Sequence, residues 1–222
     1  MPLAYISVIG NIAVGKSTFI EGLKDQIRSR FPDSEIVVVN EEIDKDLLDR
    51  FNTDPSNFEV LFQISMIYKR AKSVLHINNI INGWNSDSKD CWRFIIEDTT
   101  FSSNMCFTKA NFKCNYITED TYNLLCGICS GVLEGLVNAR VTCCATPTHL
   151  LLLDCPPGRC VENIKKRNRS TECSLTESYL NELRNSYLEY FDSCSEANTL
   201  KMKVDASDSF ADPVSLLDWI VE

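Results

Sequence analysis

Two kinds of apolar patterning take turns along the chain. The first is a short continuous run: Ala4–Ile9, Glu35–Asn40, Trp92–Ile96 and Thr148–Leu153, with a weaker fifth near Lys201–Val204. Such runs, rich in β-branched, aromatic or leucine residues, predict strands buried on both faces. The second kind is a recurrence every three or four residues, which predicts amphipathic helices. It begins with Phe19, Ile20, Leu23 and Ile27. Asp54-Pro55 then opens a long helix carrying Phe58, Leu61, Phe62, Ile64, Met66, Ile67, Val74 and Leu75. Further helices are expected over the mostly polar residues after Glu42, over Phe101–Lys113, Glu119–Ala139 and about Leu175–Phe191, after the breaker Pro156-Pro157-Gly158, and after Pro213. The polar stretch from Gly83 to Asp90 reads as a surface loop. Strands alternating with helices place the chain in the α/β class, as a five-stranded parallel sheet flanked by helices in a single domain over residues 1–222. No internal repeat is visible.

Ligands of such sheets sit at the carboxyl ends of the strands. The first of these ends carries Gly10-Asn11-Ile12-Ala13-Val14-Gly15-Lys16-Ser17-Thr18, a G-x-x-x-x-G-K-S phosphate-binding loop. Gly10 and Gly15 permit backbone conformations in which successive N–H groups point at an anion. The Lys16 ammonium reaches β and γ phosphates, the Ser17 hydroxyl suits Mg²⁺, and the following helix aims its positive end at the same place. A strand before the loop and a helix after it set the motif in its proper context, so a nucleoside triphosphate site is expected. The second and third strands end in acids, Glu41-Glu42 and Glu97-Asp98, on the same edge.

Composition changes this picture little. Of 222 residues, 44% are hydrophobic and 24% charged, as in an ordinary globular protein. A net charge of −9 argues against a nucleic-acid binder, and the positive charge needed for a triphosphate must be local. Eleven cysteines, an odd number, cannot all pair within one chain. Many sit in apolar runs (Cys91, Cys106, Cys126, Cys129) and read as small core residues in a reducing compartment. The C-x-x-C at Cys126–Cys129 has no partner pair or histidine cluster to make a zinc site, and Cys143-Cys144 has none either. No apolar run approaches the ~20 residues of a membrane span. The first strand starts close to Met1, so cytoplasmic residence without membrane attachment is the expectation.

Taken in order, the phosphate loop, Glu41 after strand two, Phe62-Gln63 on the long helix, Glu97 after strand three and Arg167-x-Arg169-x-x-Glu172 resemble the deoxynucleoside kinases related to deoxycytidine, deoxyguanosine and insect multisubstrate kinases. The resemblance covers nearly the whole chain, and the loop text through Phe19 is very like that of deoxycytidine kinases. It implies a P-loop kinase fold with a lid at about residues 165–173, transfer of a γ-phosphoryl group from ATP or another NTP to the 5′-hydroxyl of a deoxynucleoside, Mg²⁺ as cofactor, and a homodimer.

The same resemblance implies roles for residues. Residues Gly10 to Thr18 with Arg167 and Phe210 would hold the donor, and Ser17 and Glu97 the metal. Glu41 would be the general base, with Lys16, Arg167 and Arg169 stabilising the transferring group. Gln63 and Arg70 would read the base, Phe107 would stack on it, Phe58 and Met66 would line its pocket, and Glu172 would meet the sugar 3′-hydroxyl. Arg70 tilts the expected substrate toward deoxycytidine or a purine deoxynucleoside, although Ser103 stands where deoxycytidine kinases pair that arginine with an aspartate. Asp98 stands where the family carries an arginine near the phosphoryl acceptor, which reverses the local charge. A nucleotide-binding protein with impaired catalysis and a nucleoside monophosphate kinase therefore stay open as alternatives. A GTPase does not fit, because the chain contains no N-K-x-D.

Overall fold

The computed structural model describes residues 2–85, 90–139, 141, 146–169, 172, 174–194, 199–207 and 213–221. Five strands, β1 (Leu3–Gly10), β2 (Glu35–Val39), β3 (Arg93–Asp98), β4 (His149–Asp154) and β5 (Leu200–Asp205), pair in the order β2-β3-β1-β4-β5. All four pairings are parallel. The helices are α1 (Lys16–Arg30), α2 (Lys45–Thr53), α3 (Pro55–Asn85), α4 (Asn104–Lys113), α5 (Glu119–Asn138), α6 (Pro157–Arg167), α7 (Glu177–Ser193) and α8 (Pro213–Val221). The expected class and strand count are thus met.

Side-chain alternation divides the sheet into two buried faces. On one, Ala4, Ile6, Val8, Phe94, Ile96, Leu151 and Leu153 pack against Phe19, Leu23 and Ile27 of α1, Cys160 and Ile164 of α6, and Leu216 and Ile220 of α8. The opposite face divides in two. Tyr5 and Ile95 meet Ile67, Val74 and Ile77 of α3 and Cys129 and Leu136 of α5. Ile9, Leu150 and Leu152 meet Cys106 and Ala110 of α4 and Leu183 and Tyr187 of α7. Of the thiols expected in the core, Cys106 and Cys129 are buried and free, whereas Cys91 and Cys126 are only partly buried; Cys155 and Cys160 are buried free thiols as well. Cys143 and Cys144 lie outside the described residues.

Element boundaries differ from the sequence reading where pairing or capping decides them. Strand β3 continues through its two terminal acids, because Ser7↔Glu97 and Val8↔Asp98 stay in register with β1. Helix α4 starts three residues later than expected: Phe101 is buried before it, and Ser103 sits at the N-cap position with no side-chain capping bond, its N–H donating to Thr100 Oγ1 at 3.0 Å and its hydroxyl to the Thr100 carbonyl at 2.8 Å. Asp44 starts α2 by accepting from the Leu47 N–H at 3.1 Å, and Thr118 and Thr176 cap α5 and α7 in the same way.

The strand order reverses beside β1, which places the crevice of the fold at the loop after Gly10. Gly10 has φ of +148° and pairs with Leu153, whose carbonyl oxygen would lie 2.5 Å from any added Cβ. Only glycine tolerates both conditions. Gly10→Ala is therefore expected to cost about 2 kcal/mol or more and to lower the melting temperature by roughly 5 °C. Scanning calorimetry or thermal fluorescence checks this, and an unchanged melt would mean that the loop relaxes freely.

Candidate functional site

The phosphate loop is held from three directions. Ala13 and Gly15 take positive φ, 61° and 105°, as a chain curling around an anion requires. Asn11, almost fully buried, donates from Nδ2 to the Leu180 carbonyl of α7 at 2.8 Å, and its Oδ1 accepts from the Ile12 N–H at 2.8 Å. Asn163 of α6 donates to the Ala13 carbonyl at 2.9 Å. Lys16 Nζ lies back over the loop, donating to the carbonyls of Gly10 at 3.2 Å and Asn11 at 3.4 Å. Helix α1 begins after Gly15 with no side chain capping it, so its first N–H groups face the loop's concavity.

Residues Ile12 to Thr18 form one wall of a cavity of about 1000 Å³. Across it stand Glu41, Gln63, Met66, Arg70, Asp98 and Phe107, and the lid residues Arg167, Arg169 and Glu172 border it as well. Fifteen of the twenty residues expected at the site therefore meet around one space. Gly10 and Asn11 form the stem of the loop. Phe58 does not border the cavity: Arg50 lies over its ring at 5.9 Å, and Phe62, one turn on and stacked on Phe51 at 5.2 Å, takes the place expected for it. Phe210 lies outside the described residues.

Arg70 does not stand free to read a base. Its guanidinium, 5% exposed, pairs with Glu41 and donates to Asn104 Oδ1 at 2.9 Å, with the Phe107 ring 5.6 Å below. Burial works against the guanidinium charge, and the Glu41 carboxylate, with smaller help from Tyr187 and Cys106, more than offsets it.

Strand parity separates the two acids that end β3. Glu97 shares the face of Tyr5 and Ser7, and it accepts from their hydroxyls at 2.6 and 2.9 Å beneath the α3 layer. Asp98 shares the face of Val8, the α1 side, and is the one of the two that borders the large cavity. The metal role expected of Glu97 does not fit this placement. Burial raises the Glu97 carboxyl to about 7, against the opposing pull of the two hydroxyls. Burial also raises Asp98, and Lys16 draws it back down.

Gln63 is equally constrained: its Nε2 donates to Glu59 Oε1 at 3.1 Å and its Oε1 accepts from the Thr108 hydroxyl at 3.4 Å. Met66 and Phe107 border the cavity nearby, and Tyr187 meets the Phe107 ring edge-on at 6.0 Å. In the lid, Arg167 donates twice to Glu172, at 2.6 Å each, and Arg169 lies 3.8 Å from the same carboxylate. Several lining residues were missed from the sequence: Asn104, Asn111, Tyr116, Asn163 and Tyr179. The signal for the first two was present, because Asn104, Phe107, Thr108 and Asn111 recur at helical spacing on a helix that is otherwise largely buried.

The deoxynucleoside kinase family model matches residues 6–217. The chain belongs to the deoxynucleoside kinase family. It is 26% identical over 203 residues to a probable deoxycytidine kinase of fowlpox virus, covering 90% of this chain and 75% of that protein. A deoxyadenosine kinase of Dictyostelium discoideum is 25% identical over 216 residues, covering 97% and 77%. A thymidine kinase of ictalurid herpesvirus 1 is 23% identical over 222 residues, covering 97% and 83%. Among solved structures, deoxyadenosine kinase from M. mycoides with bound dATP matches with a TM-score of 0.70 at 22% identity, covering 97% of this chain and 96% of that one. This kinase is accordingly a phosphotransferase acting on a nucleoside hydroxyl, on the α/β fold that the structural match shares.

The buried Glu97 makes the kinase's stability depend on pH. A carboxyl at about 7 in the fold and 4.5 when unfolded contributes stability that is complete below 4.5 and lost as pH rises through 7. Glu97→Gln keeps an acceptor for Tyr5 and Ser7 but cannot ionise. Its stability relative to wild type should rise between pH 5 and pH 8, by up to about 3 kcal/mol. Urea denaturation at the two pH values measures this. A difference that stays flat with pH would show that Glu97 titrates normally.

Proposed function

We propose that this kinase transfers the γ-phosphoryl group of ATP or another nucleoside triphosphate to the 5′-hydroxyl of a deoxynucleoside. The observation that carries the reading is the shared cavity, in which the phosphate loop faces Glu41 and Gln63. Its size suits two substrates in contact. The triphosphate lies along the loop, and Lys16 leaves the carbonyls of Gly10 and Asn11 for the phosphate oxygens. The nucleoside lies between α3 and α4 with Phe107 beside its base. Glu41 takes the proton of the 5′-hydroxyl as that oxygen bonds to the γ phosphorus and the bond to the departing diphosphate breaks. Arg70 is the positioning residue for Glu41, holding it through their ion pair.

Arg167 and Arg169 cover the transferring group. They are preassembled by Glu172, which a phosphoryl group displaces from their guanidinium forks while the carboxylate turns to the sugar. The donor set beside Lys16 fits Mg²⁺: the Ser17 hydroxyl and the Asp98 carboxylate are hard oxygen ligands, and both border the cavity. Mg²⁺ bound there neutralises charge on the β and γ phosphates. The exposed apolar residues Leu61, Ile64, Tyr68 and Leu75 on α3, with Leu124 and Val137 on α5, support pairing of two copies. Among the described residues no helix is long and apolar enough to cross a membrane, and free thiols agree with a reducing, cytoplasmic setting.

The test is transfer of labelled phosphate from ATP to each of the four deoxynucleosides, with Lys16→Ala as the inactive control. Wild-type transfer to none of them, with triphosphate binding retained, would sink the proposal. Glu41→Gln should lower kcat by roughly 10²- to 10⁴-fold and leave nucleoside binding within a few-fold. Equal losses in both would remove Glu41 from the general-base role. Asp98→Asn should raise the Mg²⁺ concentration for half-maximal rate by roughly tenfold, as expected for a lost carboxylate ligand. A larger effect from Glu97→Gln would reverse the assignment of the two acids.

A further inference from the structure

One turn beyond Gln63 and Phe107 lies a buried polar cluster that the chemistry above does not use. Glu59, 2% exposed, precedes Gln63 by one turn of α3, and Asn111, 1% exposed, follows Phe107 by one turn of α4. Glu59 Oε1 accepts from both side-chain amides, Gln63 Nε2 at 3.1 Å and Asn111 Nδ2. Its other oxygen, Oε2, and the Asn111 Oδ1 have no hydrogen-bond partner among the described residues. Asn111 borders the large cavity, next to Gln63 and Tyr179.

An amide turned by a carboxyl oxygen must present nitrogen to it, so Glu59 fixes the orientation of both neighbours. Their carbonyl oxygens are left pointing elsewhere. That of Gln63 takes a long bond from Thr108, and that of Asn111 is a buried acceptor without a donor. Leaving such an atom unpaired is costly, which makes it a strong discriminator between ligands that supply a donor and ligands that do not. An exocyclic amino group of a nucleobase offers two N–H donors. An oxo group in the same place offers only lone pairs and would face the acceptor unfavourably.

Resting on the kinase reading, we propose that Asn111, positioned by Glu59, accepts a hydrogen bond from the exocyclic amino group of the nucleobase and sets the preference for amino-bearing deoxynucleosides over their oxo counterparts. Arg70 is engaged with Glu41 and Asn104 through its terminal nitrogens, and its Nε is left without a hydrogen-bond partner among the described residues. Glu59 stays an acceptor through Oε1 in either protonation state. Burial, which raises it to about 7, leaves it protonated for much of the time near neutrality without disturbing the two amides.

The experiment compares matched pairs that differ at one group, deoxycytidine with deoxyuridine and deoxyadenosine with deoxyinosine. Wild type should favour the amino member of each pair by roughly tenfold or more in kcat/KM. Asn111→Ala should bring the ratio to within about threefold by lowering the amino members selectively. Glu59→Leu, which removes the acceptor from both amides, should lower the ratio likewise, whereas Glu59→Gln, which keeps an acceptor for both amides, should retain it. A wild-type preference for the oxo members, or equal losses across all nucleosides in Asn111→Ala, would overturn the proposal. Calorimetric binding of the same pairs to wild type in the absence of triphosphate gives the ratio independently of turnover. Absence of transfer to every nucleoside with the binding preference intact would thus count against the kinase reading and for the Asn111 assignment.

Discussion

The carboxyl edge of the sheet must hold three acidic side chains, Glu41, Glu97 and Asp98, around two cations, Lys16 and Arg70. No arrangement leaves every charge independent, and the structure resolves the conflict by burying one acid and pairing another. Glu97 withdraws under α3, where two hydroxyls satisfy it and burial favours its protonated form. Glu41 takes Arg70. Asp98 remains at the cavity within the field of Lys16. In the function proposed above, the acid at position 98 would supply an oxygen ligand beside the phosphate loop, while the guanidinium paired with Glu41 comes from α3.

The two halves of the site are built on different scaffolding. The donor half belongs to the layer around β1 and β4: Gly10 presses against Leu153, Asn163 of α6 ties down Ala13, and α6 leads directly into the lid arginines. The acceptor half is carried by α3 and α4, which face each other through Gln63–Thr108 and Arg70–Asn104. A protein of net charge −9 can bind a triphosphate because Lys16, Arg159, Arg167 and Arg169 all border the same cavity.

Strands, long helices and the phosphate loop were legible in the sequence because each rests on local signals, such as apolar continuity, a 3.6-residue period or a fixed glycine spacing. Glu97 and Asp98 were not distinguishable, since which of them faces the cavity depends on the register with β1 and not on their own neighbours. Arg70 was legible as a base-reading candidate on α3 beside Gln63 but not in its partner, because Glu41 lies 29 positions away in the chain. Phe58 was placed in the pocket on the family resemblance, and packing gave that place to Phe62 and Phe51.

Arg70 gives its terminal nitrogens to Glu41 and Asn104, and the same two helices carry further buried polar groups beside the cavity. The positions in phase with Gln63 and Phe107 one turn further on are Glu59 and Asn111, and both are polar and nearly inaccessible to solvent. A buried carboxyl that turns two amides to itself adds nothing evident to stability, since its own desolvation opposes folding. Its effect is to fix which atoms the two amides present to the nucleoside. The charge conflict at the sheet edge and the polar cluster thus meet on the same two helices: the first draws Arg70 toward Glu41, and under the proposal above the second would offer an acceptor to the base.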